Sequence, residues 1–472
     1  MSQHPPQPSS PDSKQLEELT AQPIRTQLNA TEYEWAGPTL QQLLGTPKRV
    51  AEIWPFFSGE QQPAQLLHPG GAGEATLREL LAANPGILGP AGADPQHQHQ
   101  KYFFVKFLDP SDFPPFAYVG FDPKRLQRLR DQLERQRAQP FETDDAWTHA
   151  FRGAFADLLW QDRQSLDAVR QLLLPHLKSP ESFAQLKQRY KQWAIKQAQA
   201  NWQEVVPIDW SAWLDPAQRA EAEAIVRRQQ RIRREITLLM HRIDFRDDQA
   251  LLIGSPTLHA IAGLSLQLHP NSAGQRFPKD EAWIYKSIEN AQGARIGWIL
   301  VEPQRTFDVT ESGADFFTPF AWTPDGLGFR KPITRALLDR FVSLMDAEAK
   351  PAQHYQRTAQ PMEVPGAKHA GAVQWYRTIE EASWPYFIVR ELRFAAAGST
   401  MTPLIRESFT ELHATQGTVE GVLRRGTTIH RFTITPAAPA LLPATLPYDT
   451  IEYCTTAPAQ LVLVTRRVTR KA

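Results

Sequence analysis

The chain has 472 residues, more than one hydrophobic core usually organises, so roughly two to four domains are expected. Its 52 Lys and Arg against 51 Asp and Glu leave a formal charge of +1, which excludes a general attraction to nucleic acid or anionic lipid and points to small-molecule partners. A single cysteine, Cys454, excludes an internal disulfide framework and a thiolate-rich zinc cage, and it fits a reducing cytoplasm.

In chain order, the Pro/Ser/Gln-rich residues 1–20 offer too little apolar surface to offset ordering entropy and are expected to form a disordered tail. They lack a basic segment followed by an apolar one, and no later run approaches the roughly 18 apolar residues of a membrane span, so a soluble intracellular protein is expected. Residues 21–122 mix a strand in "RVAEIWPFF", a helix in "ATLRELLAANPGILG" and strands in "KYFFVKFLD" and "FAYVGF". Between 123 and 243 the character changes. Apolar residues recur at helical spacing in "KRLQRLRDQLERQRAQ", "WTHAFRGAFADLLWQ", "SFAQLKQRYKQWAIKQAQANW" and "PAQRAEAEAIVRRQQRIRREITLLMHRI", which predicts a helical insertion free of strands.

Strands resume over 244–350, in "QALLIGS", "LSLQLHP", "EAWIYKSI" and "ARIGWILV", and a helix, "ITRALLDRFVSLMDAEA", closes that part. Residues 21–122 and 244–350 are therefore expected to form one discontinuous β domain. The Pro/Gln-rich residues 351–383 read as a linker. Residues 384–472 carry short strands at regular spacing, "YFIVREL", "FTELHATQGTVEGVL", "IHRFTITP" and "QLVLVTRRV", which suggests a second, smaller barrel or sandwich.

The chemistry concentrates in "HAIAGLSLQLHPNSAGQRFPKDEAW". In an extended strand Gln267 and His269 share one face and Leu266 and Leu268 the other, so an amide oxygen and an imidazole converge as donors for a divalent metal. Glu281, on the next expected strand, adds a carboxylate, and His259, in the turn-like "GSPTLHAIAG", is a fourth candidate. Two His, one Gln and one Glu leave coordination positions for water and substrate, which is how catalytic metal sites are built. The plainer reading stands beside it: a hydrogen-bonded structural His, a Gln capping a turn and an exposed "KDE" loop. His241, His354, His369, His413 and His430 sit in isolated contexts and read as structural or solvent-facing, and His97 and His99 as part of a loop.

The strand and loop "LSLQLHPN…PKDEAWIY" resembles the metal-site signature of type I mannose-6-phosphate isomerases of the cupin superfamily, an apolar strand with Gln-x-His-Pro-Asn followed by Lys-x-Glu. Gln267, His269, Lys279 and Glu281 fall on that motif. "AEIW", "LRELLAANPGILG" and "YFFVKFLDPSDFPP" are similar to the family's opening region, and "SFTELHATQGTVEG" and "YDTIE" to its metal-free second barrel. The resemblance implies two jelly-roll barrels: a metal-site barrel interrupted by the helical insertion, and a metal-free C-terminal one. It further implies a divalent metal, zinc first, held by Gln267, His269 and Glu281 with His259 as a candidate fourth ligand, and an enzyme, expected to be a monomer, that interconverts mannose 6-phosphate and fructose 6-phosphate through a cis-enediol.

Lys279 is then the residue that adds positive charge beside the reacting oxygens. The phosphate anchor stays open between Arg276 and the pair Arg330 and Lys331. The proton-transfer base stays open among Glu281, Lys279 and a water on the metal. The chain departs from the family pattern in two places. Tyr118 and Gly120 stand where the strand after the Phe-rich segment should carry ligands, and the turn that resembles the family's last-ligand turn, the one holding His259, precedes the Gln strand instead of following Glu281. A non-catalytic cupin that binds a sugar phosphate is the alternative reading, and a helical scaffold with inert barrels a third.

Overall fold

Two antiparallel sheets carry the fold, and the chain builds the first of them from segments far apart in sequence. The computed structural model describes residues 18–31, 38–48, 50, 52–59, 63–68, 71–92, 101, 103–108, 116–176, 185, 189, 209–244, 249–253, 259–261, 265–267, 297–302, 305–311, 335–336, 339, 342, 349, 351, 356–377 and 387–466. The first segments are β1 (Asn29–Thr31), β2 (Glu52–Trp54), β3 (Gln65–His68), β4 (Gly71–Thr76), helix α1 (Leu77–Ala83), β5 (Phe103–Leu108) and β6 (Phe116–Phe121). Three long helices follow: α2 (Pro123–Arg137), α3 (Asp144–Leu173) and α4 (Pro216–Leu238). The chain continues through β7 (Met240–Asp244), β8 (Gln249–Ile253), β9 (His259–Ile261), β10 (Ser265–Gln267), β11 (Gly297–Glu302), β12 (Arg305–Glu311) and β13 (Gln356–Thr358). Hydrogen bonds order the first sheet β1-β2-β5-β12-β11-β8-β13, so strands from before and after the helices lie side by side.

The second sheet is assembled from β14 (Gln360–Met362), β15 (Lys368–Arg377), β16 (Phe387–Pro403), β17 (Thr410–Gln416), β18 (Val419–Arg425), β19 (Thr428–Ile434), β20 (Ala440–Leu442), β21 (Thr450–Thr455) and β22 (Ala459–Arg466). Its order is β19-β18-β21-β16-β22-β17-β20, with β15 also on β16 and β14 on β15. Alternation along these strands sends Trp375, Leu392, Phe394, Leu412, Leu423, Ile451 and Leu461 into one buried cluster. Trp375 can be buried there because its indole N–H donates to Thr400 Oγ1 at 3.0 Å. The architecture is mainly antiparallel β with a helical part, consistent with a cupin-like fold.

Local sequence explains where the helices begin. Thr76 and Glu79 form a reciprocal capping box at the start of α1. Asp122 caps α2 and Asp215 caps α4, each followed by a proline whose missing N–H costs nothing at the first helical position. Helices α3 and α4 pack against each other. Among the described residues no helix is long and apolar enough to cross a membrane.

Three boundaries differ from the sequence expectation. The insertion expected to be strand-free through residue 243 ends in β7, because "MHRID" finds a partner in β6, and cross-strand pairing overrides the helical spacing that runs on from α4. The expected linker, 351–383, contains β13, paired with β8 of the first sheet, and β14 and β15 of the second. Its polar composition reflects exposure: most of Lys368–Gln374 faces solvent, and Pro361 lies in the short terminal strand β14, where a missing N–H is tolerated. The tail expected over 1–20 stops short of Glu18–Thr20, which form a helical turn with Leu19 buried at 4% exposure; residues 1–17 lie outside the described residues.

Three N-terminal segments grip the second sheet. Ile24 pairs antiparallel with Leu441, and the Arg25 guanidinium donates to the carbonyls of Thr433, Ala438 and Pro439 while stacking over Phe432. Burial brings the pKa of Arg25 down to about 10. The 3-10 turn Pro85–Leu88 runs into Gly89, whose φ of 70° and ψ of 172° are open only to glycine. A Cβ on Gly89 would lie 2.6 Å from Glu407 O and 2.9 Å from Ala444 Cβ. Gly89→Ala is therefore expected to cost about 1–3 kcal/mol, read as a lowered unfolding midpoint; an unchanged midpoint would refute this role for the glycine. The third grip is made by Lys101, just ahead of β5, on Glu411 of β17.

Candidate metal centre

The candidate centre is framed by two short ladders. β6 pairs antiparallel with β7, and β9 with β10, and β9 lies beside β6. In the second ladder Ser265 faces Ile261, Leu266 faces Ala260 and Gln267 faces His259. Directly opposed residues of an antiparallel pair have their α-carbons roughly 4.5 to 5.5 Å apart, so the backbones of two of the four expected ligands meet across one ladder. His259, expected in a turn, opens β9 instead; "GSP" directs the eye to a turn, but the pairing of His259–Ile261 with Ser265–Gln267 draws the histidine into a strand.

The remaining expected site residues, His269, Arg276, Lys279 and Glu281, lie outside the described residues, as do Arg330 and Lys331. Among the described residues no group of three or more His, Cys, Asp and Glu side chains forms a metal cluster. The donor types at the β9–β10 ladder, an imidazole and a primary amide, suit a divalent ion of borderline hardness. Cys454 lies on β21 of the second sheet.

β6 carries Tyr118 opposite Arg242, with a register shift between Val119 and Phe121 that takes in Gly120. The strand thus offers a phenol and a glycine where the resemblance calls for an amide and an imidazole. On the partner strand His241 Nδ1 lies 3.6 Å from Asp122, the residue that caps α2. His413, also expected to be structural, is fully buried on β17 against Glu411. His369 is exposed and reaches Thr400 at 3.4 Å, and His430 lies beside the Phe432 and Tyr448 rings.

Neither a protein-family model nor a curated protein matches the sequence. Among solved structures, the chain is similar to the apo form of mannose 6-phosphate isomerase from Salmonella typhimurium, with 14% identity, a TM-score of 0.45 and coverage of 94% of this chain and 99% of that one. It is similar also to the same Salmonella enzyme bound to fructose 6-phosphate and zinc, with 14% identity, a TM-score of 0.44 and coverage of 94% and 100%. A third is that enzyme bound with zinc and yttrium, at 14% identity, a TM-score of 0.44 and the same coverage.

Proposed function

We propose that the chain is a metal-dependent aldose-ketose isomerase that acts on a hexose 6-phosphate and interconverts mannose 6-phosphate and fructose 6-phosphate. The observation that carries the reading is the β9–β10 register, in which Gln267 of the Gln-x-His-Pro-Asn motif is the direct partner of His259. Ligands must converge in space and not in sequence, so a last-ligand turn that precedes the Gln strand is compatible with one site. His259, Gln267, His269 and Glu281 would hold the ion, zinc being the first choice for a set of nitrogen and oxygen donors. When bound, a divalent metal supplies Lewis acidity toward negative charge developing on O1 and O2 of the sugar.

The chain's own residues do the rest. Arg276, or Arg330 with Lys331, would hold the substrate phosphate, the planar fork of N–H donors on an arginine suiting its oxygens. Lys279 places a second positive charge near the oxygens and favours the cis-enediol over either sugar. The base that moves the proton between C1 and C2 stays open: Lys279 could serve only in its neutral form, in which it no longer supplies the positive charge, and Glu281 only with a carboxylate oxygen left free by the ion.

One observation favours a second reading, a cupin that binds a sugar phosphate without turnover: Tyr118 and Gly120 occupy β6 where the resemblance calls for ligands. The test is to measure metal bound to the purified chain by elemental mass spectrometry and to assay conversion of mannose 6-phosphate. Bound metal with turnover supports the isomerase. Bound metal with no turnover of any hexose or pentose phosphate leaves the binding protein in its place, and a chain that binds no divalent metal refutes the proposed centre.

A further inference from the structure

Away from the β9–β10 ladder, the two sheets meet over a cluster of titratable side chains that the proposed reaction does not use. Lys101 donates from its ammonium to Glu411 Oε1. The other carboxylate oxygen, Oε2, lies 2.9 Å from His413 Nε2. The exposure of all three side chains is 0%. Aromatic rings close the site: Lys101 Nζ sits 5.8 Å from the centre of the Phe56 ring and 5.7 Å from that of Phe409, and the Phe56 ring meets His413 edge-on at 6.0 Å. The backbone N–H of Lys101 donates to Ser58 Oγ at 3.3 Å.

One carboxylate thus serves two partners, a cation from the segment leading into β5 of the first sheet and an imidazole from β17 of the second. With Lys101 charged, Glu411 ionised and His413 neutral, the cluster carries no net charge, and the Nε2–H tautomer of His413 is set by the carboxylate it faces. A second positive charge changes that balance. The same face of the second sheet also bears Glu391 and Arg393 of β16, but Val462 of β22 lies between Glu391 and His413 in the cross-strand row, which puts them two strand spacings, roughly 10 Å, apart. Glu391 is already engaged by Arg393 at 2.8 Å and Gln460 at 3.0 Å. Phe56, Ser58 and Phe409 add no charge to the cluster.

A buried ion pair is weak as a source of stability, since apolar residues of similar volume often do as well. Its distinguishing property is sensitivity to protonation. We propose that Lys101, Glu411 and His413 form an acid-sensitive latch between the two sheets, closed while His413 is neutral and opened when His413 takes up a proton.

The direction of each titration agrees with this geometry. Burial holds the His413 imidazole below its ordinary 6.5, against the opposing pull of Glu411. Burial would raise Glu411, but Lys101 and His413 outweigh it and keep the carboxyl below its ordinary 4.5. Burial likewise lowers Lys101 by more than Glu411 restores. Each group binds its proton less readily in the closed state than in the open one, so closure is lost as pH falls. The Lys101 part sets in from its ordinary 10.5 downward and so above the acid range, while on the acid side the loss sets in near 6.5 with His413 and continues below 4.5 with Glu411.

Hydrogen-deuterium exchange on the full chain tests the latch. Between pH 7.5 and 5, after correction for intrinsic exchange rates, β5 and β17 are expected to lose protection relative to β21. Because one proton drives the step, the opening equilibrium should change by up to about tenfold per pH unit below 6.5. His413→Gln keeps an N–H donor for Glu411 but cannot take up the proton, so it should abolish the step while remaining folded. Protection that is flat over this range, or a step that survives in His413→Gln, would overturn the proposal. Should His413→Gln fail to fold, the ring resonances of His413 in the unaltered chain decide the matter: their titration must coincide with the loss of protection at β17, and titration without opening would overturn it equally.

Discussion

Replacing His269 with Ala is expected to strip metal from the chain and abolish isomerisation while leaving the chain folded. His269 follows the β9–β10 ladder by two residues, and that ladder is held by backbone hydrogen bonds between Ser265–Gln267 and His259–Ile261 that the substitution does not touch. Removing a group that merely orients a metal ligand costs about 10- to 100-fold in metal affinity or activity, so removing a ligand itself should exceed about 100-fold. Gln267→Ala and His259→Ala should behave alike if the cross-strand pair holds the ion. Lys279→Ala separates binding from catalysis. If Lys279 acts on charge that develops only in the transition state, metal content stays at the parent level, kcat falls by about 10² to 10³ and KM changes less. Elemental analysis and steady-state assays of the four variants decide between these patterns. Full metal occupancy in His269→Ala would remove it from the ligand set, and parallel losses of metal and kcat in Lys279→Ala would assign the lysine to the metal instead of the reaction.

The parts of the fold legible in the sequence are those whose pattern is local. "FTELHATQGTVEGVL" breaks at Gly417 between two strand-like runs, and β17 and β18 appear on either side of that break, with Leu412 and Ala414 in the core. Alternation along β17 puts Glu411 and His413 on the outer face, which a strand pattern reads as solvent. They are buried because Lys101, 310 residues earlier, covers them, and no local window contains that information. β15 was hidden for a related reason: a strand whose first half is exposed shows no apolar period, and its existence depends on the long partner β16. For the candidate centre, the motif was legible as residue types at a spacing, but the register that sets Gln267 against His259 is a long-range property of the hairpin. His259 read as part of a turn because Gly254, Ser255 and Pro256 precede it so closely.

Within the helical part, Asp162→Ala is expected to produce the largest loss of stability of any single change considered. Asp162 of α3 is fully buried, and Arg233 of α4 is 7% exposed. The guanidinium meets the carboxylate with both arms, Nε to Oδ1 at 2.8 Å and Nη2 to Oδ2 at 3.3 Å. Neither residue announced this in the sequence, where 71 residues separate them and no local window holds both. Truncating Asp162 leaves the arginine charge buried in the contact between α3 and α4, and breaking a buried pair from one side costs about 3–5 kcal/mol. Arg cannot escape by releasing its proton, as a buried lysine would. The double variant Asp162→Leu with Arg233→Met should recover most or all of the loss, because burying two apolar side chains avoids the desolvation of both charges. Urea unfolding should then show a lowered midpoint at unchanged slope for Asp162→Ala and a near-parental midpoint for the double variant. A cost below about 1 kcal/mol for the single change is the value expected of an exposed pair, and it would mean that water reaches the α3–α4 contact.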